Sequence, residues 1–450
     1  MNLQHIRSVY LIGIGGIGMS ALARYFKEKG AEVSGYDRTS SALTQKLSEE
    51  GISVHYTEDI QQANTSPDLV IYTPAIPKDH KEWMYFLEKQ IPVYKRSEVL
   101  GAIAKNMFCI AIAGTHGKTT TSTLIAHILR ESGYGCNAFL GGISLNYHTN
   151  YWSSKNNVAV MEADEYDRSF LQLAPDIAVL TAMDADHLDI YGTAESMVDA
   201  YMLFTRQIKV KGKLIYKYGL KGDNMGGEHH FTYSLRNEEA DSYAENICEH
   251  DGGYHFDIIN KKETIENVHL SIGGIHNIEN SVAAATVAGL LGIPTIKIKQ
   301  GISSFKGVKR RFEYILKNKY HIYIDDYAHH PEELRALIHS VKNLFPEKRC
   351  TIIFQPHLFS RTKDLCDQFA QALDFSDEAI LLPIYPAREK PVPGVSSSLI
   401  ADKMKNSHVL LLNKEKTLAH IKTHKPALLL TAGAGDIDRM VDTIKNILID

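Results

Sequence analysis

The chain has 450 residues, 44% of them hydrophobic and 23% charged, proportions that fit two to four globular domains and exclude disordered and fibrous classes. A formal net charge of −4 gives no basic footprint for nucleic acid or an anionic membrane. No stretch reaches the 18 or more apolar residues of a membrane span, so no membrane insertion is expected.

Near the N-terminus, Arg7 and the run Val9 to Ala23 have the outline of a signal peptide, but four glycines inside the run place a turn there instead. Five cysteines make an odd count with no C-x-x-C pair. Buried reduced thiols in a cytoplasmic protein are expected.

The first block runs from Ser8 to about Lys105. Val9 to Gly13 reads as a strand, Met19 to Lys29 as a helix, and Ala31 to Tyr36 as a second strand. Between the first strand and the helix lies Gly13-Ile-Gly15-Gly16-Ile-Gly18, and Asp37 follows 19 residues after the last glycine. That is the G-x-G-x-x-G fingerprint in its βαβ setting, which places a nucleotide diphosphate at a helix N-terminus. Leu69 to Tyr72 and Ile91 to Tyr94 continue a parallel sheet, with Thr73-Pro74-Ala75 as a strand-end loop.

The second block, from about Asn106 to Lys309, begins with the buried strand Met107 to Ile112, the loop Gly114-Thr115-His116-Gly117-Lys118-Thr119-Thr120, and a helix to Arg130. Glycines between a strand and a helix turn backbone N–H groups toward a phosphate chain. Lys118 can then reach the β- and γ-phosphates, and Thr119 a magnesium ion. The full Walker spacing would need glycine at position 112, where Ile112 stands, so the loop is a shorter variant. The strand Asn157 to Met161 ends in Glu162-Ala163-Asp164-Glu165, and Asp176 to Met183 ends in Asp184-Ala185-Asp186-His187. A triphosphate needs Mg²⁺ on oxygen ligands, so Glu162 or Asp164 is expected to serve. A polar, strand-rich stretch from Lys213 to Ser271 precedes a helix that opens at Ile275-His276-Asn277 and ends near Leu291.

The third block begins near Arg311 with strands at His321–Ile324, Cys350–Phe354, Glu378–Leu382, Val409–Leu412 and Ala427–Leu430, and helices at Pro331–Asn343 and Thr362–Leu373. The alternation reads as a doubly wound parallel sheet. Lys309-Arg310-Arg311 precedes it, and arginine can neutralise charge developing in phosphoryl transfer. His329-His330 lacks the spacing of a zinc motif, and no G-x-S-x-G elbow is present.

With these motifs placed, the chain resembles the Mur ligase family along its whole length. The resemblance rests on Gly13–Ser20, Gly114–Thr120, Glu162–Glu165, Asp184–Asp189, Gly274–Asn277, Gly307–Glu313, Asp325–Pro331 and Phe354–His357. It implies an α/β protein of three domains: a Rossmann-like UDP-sugar domain (residues 1–105), a P-loop-type ATPase domain (106–310) and a Rossmann-like amino-acid domain (311–450). It also implies an ATP- and Mg²⁺-dependent ligase of cell-wall precursor synthesis, a monomer or homodimer. Its small-molecule substrates would be UDP-N-acetylmuramate and L-alanine, joined through an acyl phosphate.

Residue by residue, the resemblance puts ATP on Gly114, Thr115, Gly117, Lys118, Thr119, Thr120, Asn277, Arg310 and Asp326. Metal falls to Thr119, Glu162 and His187. The UDP-sugar falls to Gly15, Gly16, Gly18, Asp37, Thr73 and His116, and the amino acid to Tyr327, His357 and Arg361. Lys118, Glu162, His187 and Arg361 would carry the chemistry. One departure stands out: the family's Arg after Gln-Pro-His is here Leu358, while Arg361 remains. The rival readings are a ligase that recycles murein tripeptide onto the same nucleotide sugar, an NAD-dependent oxidoreductase, which leaves the phosphate loop unexplained, and a nucleotide-sensing protein without chemistry.

Overall fold

The computed structural model describes residues 3, 5–184, 188–222, 224–261, 263–387, 389–406 and 408–449. It divides into two compact units. One comprises Met1–Asn246, Phe256–Val268 and Glu279–Phe305, and the other Ile247–His255, His269–Ile278 and Lys306–Asp450.

The first unit opens with β1 (Ser8–Ile12), α1 (Ile17–Glu28), β2 (Glu32–Tyr36), α2 (Ala42–Glu49), β3 (Ser53–His55), β4 (Leu69–Tyr72), α3 (Lys81–Glu88), β5 (Val93–Lys95) and α4 (Arg96–Lys105). The five strands form one sheet in the order β3-β2-β1-β4-β5, with every resolved pairing parallel. Side chains alternate across it, as the two-residue period of a strand requires. Val9 and Leu11 pack in one apolar core with Leu22 and Phe26 of α1, while Tyr10 and Ile12 face Phe86 of α3. Because β1 is the central strand, the turn after it lies between the ends of β2 and β4.

The second sheet repeats that logic. Its elements are β6 (Phe108–Ala113), α5 (Lys118–Glu131), β7 (Asn137–Ser144), β8 (Thr149–Trp152), β9 (Val158–Glu162), β10 (Ile177–Leu180), α6 (Leu188–Tyr191), α7 (Ala194–Thr205) and β11 (Lys213–Lys217). They continue with β12 (His229–Tyr233), β13 (Ser242–His250), β14 (Gly253–Asn260), β15 (Thr264–Leu270), α8 (His276–Leu290) and α9 (Thr295–Ser304). The strand order is β15-β14-β13-β12-β11-β10-β6-β9-β7-β8. The irregular-looking Lys213–Ser271 stretch thus supplies five strands to this sheet. β6 lies between β10 and β9 in parallel register, so the loop after β6 is flanked by the ends of both.

The remaining strands are β16 (Glu313–Lys317), β17 (Ile322–Asp326), β18 (Cys350–Phe354), β19 (Glu378–Leu381), β20 (Val409–Leu411) and β21 (Leu428–Ala432), with α10 (Pro331–Leu344), α11 (Phe359–Asp364) and α12 (Cys366–Leu373) among the helices. Their order is β16-β17-β21-β18-β19-β20. This sheet is parallel except for β16, an antiparallel edge strand with a bulge at Tyr314/Leu316 that lies outside the strands expected from the sequence. The expected helix from Thr362 to Leu373 is two helices, interrupted at Leu365 (φ −114°). β21 returns between β17 and β18, which gathers the loops after all three strands at one edge, where open α/β sheets bind ligands. The five cysteines are unpaired, and all but Cys248 are buried.

Candidate functional site

The phosphate loop is shaped by two left-handed glycines. Gly114 has φ +134°, and a Cβ there would stand 2.2 Å from Thr181 Oγ1; Gly117 caps α5 at φ +81°. The end of β10 holds the loop in place. Thr181 Oγ1 donates to Ala113 O (3.1 Å) and His116 O, and Asp184 N donates to Thr115 Oγ1 (3.1 Å). Lys118 Nζ turns back into the loop, donating to Gly114 O at 2.6 Å and to Glu165 Oε1 at 2.8 Å.

Glu165 is 2% exposed. Burial pushes its carboxyl above the ordinary range, and the Lys118 ammonium opposes that shift. No role for Glu165 follows from the sequence, because nothing in Glu-Ala-Asp-Glu says which acid meets the lysine.

Thr119 Oγ1 donates to Glu162 Oε1 at 3.0 Å, and Gly141 N donates to Glu162 Oε2 at 3.1 Å. A Cβ at Gly141 would come within 2.5 Å of both Glu162 oxygens, so glycine is what admits this carboxylate. A hydroxyl and a carboxylate side by side are hard oxygen donors of the kind Mg²⁺ takes, and Thr119 and Glu162 fit that ion. Thr120 is buried in the first turn of α5. Asp164, the other candidate, instead pairs with Arg96 at 3.1 Å. His187 lies outside the described residues. His116 Nε2 stands 3.8 Å from Asp184 Oδ2, both side chains well exposed.

Around the first glycine turn, Gly15 N donates to Asp37 Oδ2 at 2.8 Å, and Thr39 N donates to Asp37 Oδ1 at 3.0 Å. Asp37 therefore fastens the turn in this structure. Thr73 packs so closely on Gly13 that a Cβ there would stand 2.7 Å from its Cγ2. Gly16 caps α1 without a side chain, and no acid occupies the first helical turn, which leaves the positive end of the helix open to an anion. Gly15, Gly16, Gly18, Asp37 and Thr73 are thus brought to one corner.

In the second unit, Arg310 Nε donates to Asp325 Oδ2 at 3.0 Å and Nη2 to Gly433 O. Burial pushes Asp325 up to about 6 even with Arg310 beside it. Both carboxylate oxygens of Asp326 accept backbone bonds, from Phe312 N (2.6 Å) and Ala328 N (2.7 Å). Asn277, near the start of α8, donates from Nδ2 to Gly273 O at 2.7 Å.

Tyr327 lies under the guanidinium groups of Arg310 and Arg311, 5.3 Å from each. Its ring is 5.2 Å from His329, which is 6.3 Å from His357, which in turn stacks on Tyr385 at 5.8 Å. Burial first, then the nearby Arg361 and Arg311, keeps His329 below the usual imidazole range, with Glu333 opposing. Arg361, on α11, has a buried Nη1 with no hydrogen-bond partner among the described residues, a donor open to a ligand. Tyr327, His357 and Arg361 therefore share one loop edge, joined by His329, which lies within a motif but carried no assigned role, and by Tyr385, which lies outside the motifs. Leu358, at the site of the family departure, caps α11 with φ +71°.

Family models match the chain in three consecutive segments: the Mur ligase family catalytic domain over residues 8–107, the Mur ligase middle domain over 112–288, and the Mur ligase glutamate ligase domain over 310–437. A UDP-N-acetylmuramate–L-alanine ligase of Cytophaga hutchinsonii is 47% identical over 99% of this chain and 97% of its own. One of Porphyromonas gingivalis is 48% identical over 98% and 99%. The crystal structure of a UDP-N-acetylmuramate–alanine ligase from Thermotoga maritima aligns with TM-score 0.82 at 25% identity, covering 99% of this chain and 98% of that one. A murein peptide ligase from Psychrobacter arcticus shares the fold at TM-score 0.70 and 23% identity, covering 98% of each. By these matches and by its phosphate loop, the chain belongs to the Mur ligase family.

Proposed function

We propose that this chain is an ATP-dependent ligase that joins L-alanine to the lactyl carboxylate of UDP-N-acetylmuramate, releasing ADP and phosphate, in the cytoplasm. Its relatives over the full length are named for that reaction. The observation that carries the chemistry is Lys118, held between a loop carbonyl and Glu165 beside the Thr119–Glu162 pair.

In this reading the glycine turn after β1 takes the diphosphate of the sugar nucleotide, the loop after β6 takes ATP, and the edge with Tyr327, His357 and Arg361 takes the amino acid. Residues 1–105, 106–310 and 311–450 are the corresponding domains. A carboxylate oxygen attacks the γ-phosphorus and the bond to the β–γ bridging oxygen breaks. Lys118 neutralises charge on the transferring group. The amine nitrogen then adds to the acyl carbon, the tetrahedral intermediate expels phosphate carrying the former carboxylate oxygen, and the ammonium proton passes to solvent. Thr119, Glu162 and His187 would hold Mg²⁺, which neutralises triphosphate charge when bound. Arg361 would pair bidentately with the alanine carboxylate.

The curated relatives favour alanine over a tripeptide as the amine. Incubation of the purified protein with ATP, Mg²⁺ and UDP-N-acetylmuramate tests the reading. Phosphate should appear catalytically only when L-alanine is added. Turnover without an amine, or faster turnover with L-Ala-γ-D-Glu-meso-diaminopimelate, would replace it.

A further inference from the structure

Arg96 is the first residue of α4, and its guanidinium faces two places. Nη2 donates to Asp164 Oδ2 at 3.1 Å. Nη1 lies over Gly18, where a Cβ would stand 2.7 Å from it and 3.1 Å from Arg96 Cδ. Gly18 lies inside α1 and needs no left-handed backbone, so the last glycine of the turn is what admits this side chain. Neither Nη1 nor Nε has a hydrogen-bond partner among the described residues, and the side chain is 18% exposed. Uncommitted donors of a cation therefore remain, and one of them, Nη1, lies beside the N-terminal turn of α1.

Asp164 is built into the segment that serves the phosphate loop. Its Oδ1 accepts from Tyr166 N at 3.0 Å, Glu162 two residues earlier holds Thr119, and Glu165 next to it holds Lys118. Lys95, from the same strand end as Arg96, reaches Asp167 at 3.3 Å.

We propose that Arg96 is a positioning residue that couples the two nucleotide sites: Nη1 of its guanidinium binds the diphosphate at the glycine turn while Nη2 holds Asp164, and through it the Glu162–Glu165 segment. This rests on the assignment of the turn to the sugar nucleotide and of the loop to ATP. With Asp164 41% exposed, the pair alone is weak. An anion on Nη1 immobilises the guanidinium and orders the acidic segment. The second nucleotide then meets a segment already ordered and binds more tightly, and by linkage the effect is reciprocal. A lysine ammonium lacks the planar fork that spans both anions.

Calorimetric titration of the full chain with the ATP analogue AMP-PNP and Mg²⁺, with and without saturating UDP-N-acetylmuramate, tests this. The sugar nucleotide should tighten AMP-PNP binding at least fivefold. In Asp164→Asn and in Arg96→Lys that factor should fall to within twofold of unity, while Asp164→Asn still binds each ligand alone. Independent binding of the two nucleotides to the wild type, or full coupling in both variants, would overturn the inference and leave the proposed function standing. A wild type that does not bind UDP-N-acetylmuramate would overturn both.

Discussion

Lys118 Nζ and Glu165 Oε1 lie 2.8 Å apart, with Lys118 13% exposed and Glu165 2%, so the cation assigned to the phosphate chain is also the counter-ion of a buried acid. Lys118→Ala should lower turnover at least a hundredfold and should also destabilise the protein by stranding Glu165. The destabilisation should be larger at pH 8 than at pH 5, because an acid whose folded pKa is raised costs more stability as pH rises. Lys118→Ala combined with Glu165→Gln should recover melting temperature but not turnover. Thermal melts and a phosphate-release assay read the two effects separately.

Glu162→Gln keeps an acceptor for Thr119 Oγ1 and removes the charge. The Mg²⁺ concentration giving half-maximal turnover should rise about tenfold, roughly 1.4 kcal/mol. An unchanged magnesium requirement would make Glu162 a structural partner of Thr119 and Gly141 only.

Arg361→Ala should raise the KM for L-alanine at least tenfold and leave that for ATP within about twofold, since the loss of a charge-assisted pair is worth roughly 1.5–3 kcal/mol. Steady-state kinetics with each substrate varied decide it, and an unmoved alanine KM would put the carboxylate anchor elsewhere.

Glu82 is fully buried in the first sheet's domain and accepts from Tyr10 OH at 2.6 Å and from Asp59 N at 3.2 Å. Burial pushes it up to about 7. The folded state therefore holds a proton that the unfolded chain releases from about pH 4.5 upward, and stability declines as pH rises from there to about 7. Glu82→Gln keeps an oxygen acceptor without the charge. Denaturant unfolding should show the decline across that window flattened in the variant, by at most roughly 3–4 kcal/mol; an identical slope would mean that Glu82 does not titrate there.

What could be read from the sequence was what depends on local order: Gly114 to Thr119 between a strand and a helix, Gly13 to Gly18 with Asp37, and the alternation that makes three α/β blocks. Arg96 and Glu165 could not be read, since each matters through a partner 68 or 47 residues away. β16 was hidden because an edge strand next to a basic triplet has only a short half-buried pattern. The split at Leu365 has no proline or glycine to announce it. His329 was visible as a residue, but only the return of β21 between β17 and β18 shows that its loop and that of His357 share an edge.

The acyl phosphate is the central claim, and isotope transfer tests it most directly. UDP-N-acetylmuramate labelled with ¹⁸O in its lactyl carboxylate is turned over with ATP and L-alanine, and the released phosphate is analysed by mass spectrometry. One labelled oxygen should appear in inorganic phosphate alongside ADP. Label in AMP, or phosphate carrying none, would contradict the account.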